Sequence, residues 1–303
     1  VSGESGNIEI KSGDAVNGAA GSVSVGVGMT EFEDGSDLIM SSGSTSSKSG
    51  SGGNVSVSSG SGISGGSLIL NSGSGTAGSS GFIKLESVGN DLGSGSVSIA
   101  SGMSARGSSG NVDISTGSGL EAGNVLINAG NSEGSTGATV DIKAGSTNAN
   151  NVGGNINLSA GDNIGTSQQS GGSVLLSSGS GSSTSSGDII IASSKSGISG
   201  SSGSLNFESG TATDGPSGSI VLRSGSSNSN TAGAVEISVG DTVSDIGGSI
   251  TMNSGSSYDL DGGSVGIYSG LSSTSSSGSI SLLSSDSLLS GDVTVEEVEL
   301  KPL

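Results

Sequence analysis

Gly53-Asn54-Val55-Ser56-Val57-Ser58-Ser59-Gly60 reads as glycine, a small polar residue, an apolar residue, any residue, a second apolar residue, any residue, a small residue and glycine. The same order returns at Gly95-Ser96-Val97-Ser98-Ile99-Ala100-Ser101-Gly102, from Gly218 to Gly225 and from Gly248 to Gly255. With the first apolar residue as marker, 20 units run from Ile8 to Val293 at a mean spacing of 15.0 residues. All 20 markers are Val, Ile or Leu, and the residue two further on is apolar in every unit, from Ile10 to Val295. Two apolar residues at spacing two share a side only where the backbone is extended. Val and Ile also suit a pleated, half-buried surface. Each unit therefore predicts a short strand with its apolar pair facing inward and its intervening residue facing out.

The flanks keep the same register. Gly stands two residues before the marker in 18 of 20 units, the exceptions being Ser36 and Ala138. It stands five residues after the marker in 16 of 20, for example Gly13, Gly73, Gly130 and Gly270. The residue before that trailing glycine is small: Ser12, Ser72, Ala129, Ala160, Ser224. Glycine at both ends predicts turns at fixed places. At Gly102, Gly130 and Gly255 it predicts positive φ or close approach to a neighbouring backbone.

Composition sets the class. The 303 residues include 60 Gly, 2 Pro and no Cys, with aromatics at 2%. Glycine and serine at this level suit a flexible linker, but a linker has no reason to hold 20 phased apolar pairs. A fixed period marks a stacked repeat protein. Without Cys there is neither a disulfide framework nor a thiolate metal site. No apolar run is long enough to cross a membrane as a helix, so no membrane insertion is expected. The net charge is −19, from 27 acidic and 8 scattered basic residues, with no basic patch, so no nucleic-acid partner is expected. The chain opens at Val1 inside a repeat and reads as a processed piece, or a part, of a longer protein.

The units predict an all-β fold, a parallel β-solenoid (β-helix) over residues 1–290. Residues 291–303 form an atypical C-terminal cap or junction, where Glu296, Glu297, Glu299 and Pro302 replace serine. Two repeats per coil, about 30 residues, are favoured over one. The outward residue between the apolar pair is apolar at Ile39, Ile69, Leu126, Ile190 and Val221, all odd-numbered units, and at Leu175. It is charged at Lys84, Asp113, Asp141 and Glu236, all even-numbered, and at Glu9. Two chemically different sheets follow, the odd one carrying an apolar row suited to assembly contacts. The alternative is a thin coil of one repeat, with little apolar area to offset chain entropy.

The Gly-(Asn/Ser)-apolar-x-apolar-x-(Ser/Ala)-Gly unit resembles those of the Ser/Gly-rich parallel β-solenoids of extracellular fibres, surface appendages and adhesins. The resemblance covers nearly the whole chain and concerns architecture. It implies a structural role and an extracellular or cell-surface location.

Little in the chain offers chemistry. With no His, triads and metal sites built on imidazole are impossible. Gly60-Ser-Gly-Ile-Ser-Gly65 and Gly73-Ser-Gly-Thr-Ala-Gly78 match a phosphate-cradling pattern, yet neither opens a helix in a βαβ unit. No cofactor is expected. Acidic turns at Asp259 and Asp261, and at Glu31, Glu33 and Asp34, are candidates for weakly bound Ca²⁺, weighed against a plain role in capping turns and keeping them wet. Asn54-Val-Ser56 and Asn157-Leu-Ser159 are N-glycosylation sequons. A uniform Thr ladder for ice is absent from the outward positions.

These features lead to one expectation. The chain is no enzyme; it is a structural rod or filament subunit that self-associates through sheet faces and coil ends. Its partners are copies of itself, other appendage proteins or glycans. The alternative is an adhesin stalk or carbohydrate-binding rod.

Overall fold

The computed structural model describes residues 3, 5–134, 136–148, 151–165, 169–284 and 293. The chain divides into two units, Val1–Ile142 and Lys143–Leu303, and one local pattern recurs within each. The segment around each apolar pair is free of bends, which gather in the connection that follows, as at 16–18, 62–64, 182–184 and 258–260. The segments are extended, and their ion pairs report the alternation directly. Lys11 Nζ lies 3.2 Å from Glu9 Oε1, and Lys84 Nζ lies 2.7 Å from Glu86 Oε1. Both pairs join the first and third residues after a marker, which share a side only in a straight backbone.

Eight connections among the described residues are pinched shut at the base. In these, the glycine that opens a unit donates its N–H to the carbonyl of the glycine that closed the previous one. Gly53 donates to Gly43 at 2.8 Å, Gly81 to Gly73 at 3.0 Å, Gly172 to Gly161 at 2.9 Å and Gly278 to Gly270 at 2.9 Å. Beside this bond sits the small residue that precedes the closing glycine. Ser42 Cβ lies 3.4 Å from where a Gly53 Cβ would stand, and Ala160 Cβ lies 3.3 Å from the same point on Gly172. From Gly21 onward, every unit-opening glycine among the described residues has this neighbour within 4 Å. Glycine is favoured there because a side chain would press on the small residue across the pinch.

The parallel β-solenoid expected from the repeat is overturned. Among the described residues there is no helix and a single two-stranded antiparallel sheet. It joins β1 (Gly89–Asn90) and β2 (Gly93–Ser94), with Gly89 opposite Ser94 and Asn90 opposite Gly93. This small hairpin lies in a connection, between the apolar pairs Ile83/Leu85 and Val97/Ile99. No described residue is buried. Val97 and Ile99, expected to face a core, are 52% and 69% exposed, and Ser98 between them is exposed as well.

The physical reason lies in the pinch. It joins the end of one extended segment to the start of the next. It does not lay segments side by side at the ~4.8 Å spacing a ladder needs. Most segments bring only two large apolar side chains among serine and glycine, six bring a third between them, and none of those described is buried. Both coil sizes, and the division into an odd and an even sheet, fall with the solenoid. The expected cap, 291–303, lies outside the described residues apart from Val293.

The glycine expectation also changes. Gly102, Gly130 and Gly255 have open space where a Cβ would go and do not adopt positive φ. Among the described residues, positive φ occurs only at Gly93 (+152°) and Gly200 (+138°). The crowded glycine is the one that opens a unit; the one that closes it is free of crowding and contributes its carbonyl to the pinch.

Candidate functional site

The surface that repeats most faithfully is the row of apolar pairs, and every described member stands open to solvent. The residues proposed from sequence as an assembly face, Ile39, Ile69, Leu126, Ile190 and Val221, are all exposed in their extended segments. No sheet orders them into one face. Val221 has a further setting: with Phe207, Ile220 and Leu222 it lines a shallow apolar recess of about 310 Å³. This recess joins two consecutive repeats in the second unit and could seat an apolar side chain.

The connections have a chemistry that the strand-centred reading passed over. It falls on the position seven residues after each marker. In eight units a Ser, Thr or Asn stands there whose side-chain oxygen accepts a main-chain N–H two or three residues on. Ser104 Oγ accepts from Gly107 at 2.9 Å, Ser227 from Asn230 at 3.1 Å, Ser257 from Leu260 at 3.0 Å and Ser272 from Ser275 at 2.9 Å. Thr45, Ser132 and Asn163 accept from Ser47, Gly134 and Gly165 in the same way. Asn90 Oδ1 takes two such bonds, from Leu92 at 2.8 Å and Gly93 at 3.0 Å, and so folds the β1–β2 hairpin. These are Asx and Ser/Thr turns, which fix the bend locally.

Where Gly occupies the position instead, the bend runs tight against itself. A Cβ on Gly62 would meet the Ser64 carbonyl oxygen at 3.1 Å, one on Gly119 that of Glu121 at 3.2 Å, and one on Gly181 that of Ser185 at 2.6 Å. A polar turn residue or a glycine thus serves one purpose in two ways. The signal is present in the sequence if units are counted forward from the marker. It vanishes if connections are aligned from the next strand backwards, because their lengths differ.

The acidic candidates stay apart. Glu31 and Glu33 lie in one bend with Asp34 just after it, and Asp259 lies in another with Asp261 just after it. Among the described residues no group of three or more Asp or Glu comes together in a way that could hold a metal ion. The bend at Asp259 is set by the Ser257 hydroxyl. Both sequon asparagines, Asn54 and Asn157, are exposed on extended segments. Comparison with known family models, characterised proteins and solved structures finds no match. The function is therefore argued from the surface itself.

Proposed function

We propose that the chain is a structural repeat protein, the subunit of an extracellular fibre or surface appendage, which self-associates through the apolar pairs of its repeats. One observation carries this reading: a pair repeated in all 20 units has no described member buried in the single chain. A repeat protein that keeps such residues open is poised for contact with another surface. The role is read as structural, since a chain without His or Cys lacks the commonest general base and the most reactive nucleophile. Abundant serine, the two exposed sequons and the net charge of −19 suit a long-lived, hydrated extracellular material.

A second reading, an adhesin stalk or carbohydrate-binding module, draws on the recess at Phe207, because an aromatic ring in an open apolar recess can stack on a sugar face. Electron microscopy of the native material separates the two. Ordered filaments built from this chain support the first. Isolated particles that carry no filament, and that bind a glycan array through the Phe207 recess, overturn it in favour of the second.

A further inference from the structure

Each extended segment has two unmet demands. In each described one the apolar pair is uncovered, and no strand is paired beside the main chain. Among the described residues, main-chain hydrogen bonds lie in the connections, at the pinches and in the β1–β2 hairpin, and none joins one extended segment to another along its length. Such a segment is an open edge on both sides, a template for another strand.

The area involved is large. The chain exposes 30900 Å². A compact monomer of this mass, 28.4 kDa, exposes about 11,000 Å² and the fully unfolded chain about 41,000 Å². The surplus of roughly 20,000 Å² is several times the 2,000–5,000 Å² that an obligate interface buries. One small contact cannot cover it; the covering surface must repeat as often as the segments do.

That requirement selects the occupant. The partner has to present extended strands with two apolar residues at spacing two, recurring every 15 residues or so. This chain carries that pattern. Its charges allow the match despite the net −19: acid and base stand two residues apart at Glu9/Lys11, Lys84/Glu86 and Asp141/Lys143, so one copy's acid can meet another's base across a strand edge. Resting on the structural reading above, we propose that the partner is a second copy of this chain. Extended segments of the two copies pair edge to edge, with registers limited to steps of about 15 residues.

The absence of native cysteine makes the test direct. Ser98→Cys and Asp113→Cys place single thiols on neighbouring extended segments, one residue after their markers. Arg106→Cys places one in the connection between them. The full chain is mixed in variant pairs and treated with a short bis-maleimide, with sedimentation velocity run on the same samples and on the unmodified chain. With one variant of each mixture isotope-labelled so that mixed dimers are counted by mass, register-limited pairing gives cross-linked Ser98–Ser98 and Ser98–Asp113 dimers in at least tenfold higher yield than Ser98–Arg106 dimers. Oligomers with equal yields for all pairs overturn the register and leave the structural reading standing. A chain that stays monomeric, or that sediments with added polysaccharide and not with itself, overturns both.

Discussion

Ser42 and Gly53 are held together across a ten-residue connection: the Ser42 hydroxyl donates to the Gly53 carbonyl at 2.8 Å. The Gly53 N–H returns the favour to the residue next to Ser42, bonding the Gly43 carbonyl at 2.8 Å. Ser59 and Gly66 repeat the hydroxyl–carbonyl bond at 3.0 Å. Replacing Ser42 by Ala removes one solvent-exposed hydrogen bond, which is worth about 0.5–1 kcal/mol. The Gly53 amide should exchange its hydrogen a few-fold faster in Ser42→Ala. Unchanged exchange would show that the hydroxyl adds nothing to the pinch.

Val239, like Val27, stands where most units have a small residue, and its Cγ1 lies 2.6 Å from where a Gly248 Cβ would be. Gly248→Ala should therefore force apart the close approach of residues 239 and 248, at a cost of about 1–3 kcal/mol for overpacking. Val239→Ser in the same chain should restore it, since Ser224 sits 3.7 Å from the corresponding point of Gly233 without conflict. Limited proteolysis of the 240–248 connection reads the effect. Equal cleavage of the single and double variants would contradict this geometry.

Gly181→Ala and Gly102→Ala should separate crowded from uncrowded glycines. A methyl at 181 meets the Ser185 carbonyl oxygen at 2.6 Å, whereas one at 102 has open space. Backbone conflict of this kind costs about 1–3 kcal/mol. The Gly187 amide, bonded to the Gly179 carbonyl at 2.9 Å, should exchange at least tenfold faster in Gly181→Ala. The amides around residue 102 should be unaffected by Gly102→Ala.

Asn90→Ala takes away both side-chain bonds that fold the β1–β2 hairpin. A turn cap of this type contributes about 1 kcal/mol, and a two-stranded hairpin has little else to sustain it. The cross-strand NOE between Gly89 and Ser94 should be lost in the variant. Its survival would assign the hairpin to the backbone alone.

Ile114→Asp and Leu222→Asp should act on assembly and leave the isolated chain almost untouched, since both side chains are exposed there. Within an assembly they place an unpaired charge at a covered position. The self-association constant from sedimentation should fall at least tenfold. Raising salt from 0.01 to 0.15 M shortens the screening length from about 30 to 8 Å. Copies that each carry −19 should then associate more strongly; weaker association in salt would point to a cationic partner.

The repeat, its register and its glycine punctuation were legible because each has a local cause. An apolar pair at spacing two favours an extended backbone, and the segments around the pairs are free of bends, with Glu9 and Lys11 joined at that same spacing. Pairing between segments was not legible, because it depends on whether one unit covers the next. Val55 and Val57 can prefer a strand without specifying which strand lies beside them. The role of glycine was misplaced for a related reason: Gly43 and Gly53 look equivalent in sequence, yet only Gly53 faces a side chain across the pinch. The turn-setting position at Thr45, Ser104 and Ser257 was within reach, but it stands in connections whose varied length hid it.

The bonded glycines lie six positions apart at Gly60–Gly66 and eleven apart at Gly161–Gly172, and the N···O distance is 2.9 Å in both. Loop-closure entropy explains the tolerance: nearly doubling a short loop adds only about 0.5 kcal/mol. The connection length is thus uncoupled from the spacing of the segments it joins. Foreign peptides grafted between the two glycines of a pinch would leave the flanking segments unchanged, so the chain is a natural carrier for displaying inserted sequence many times over.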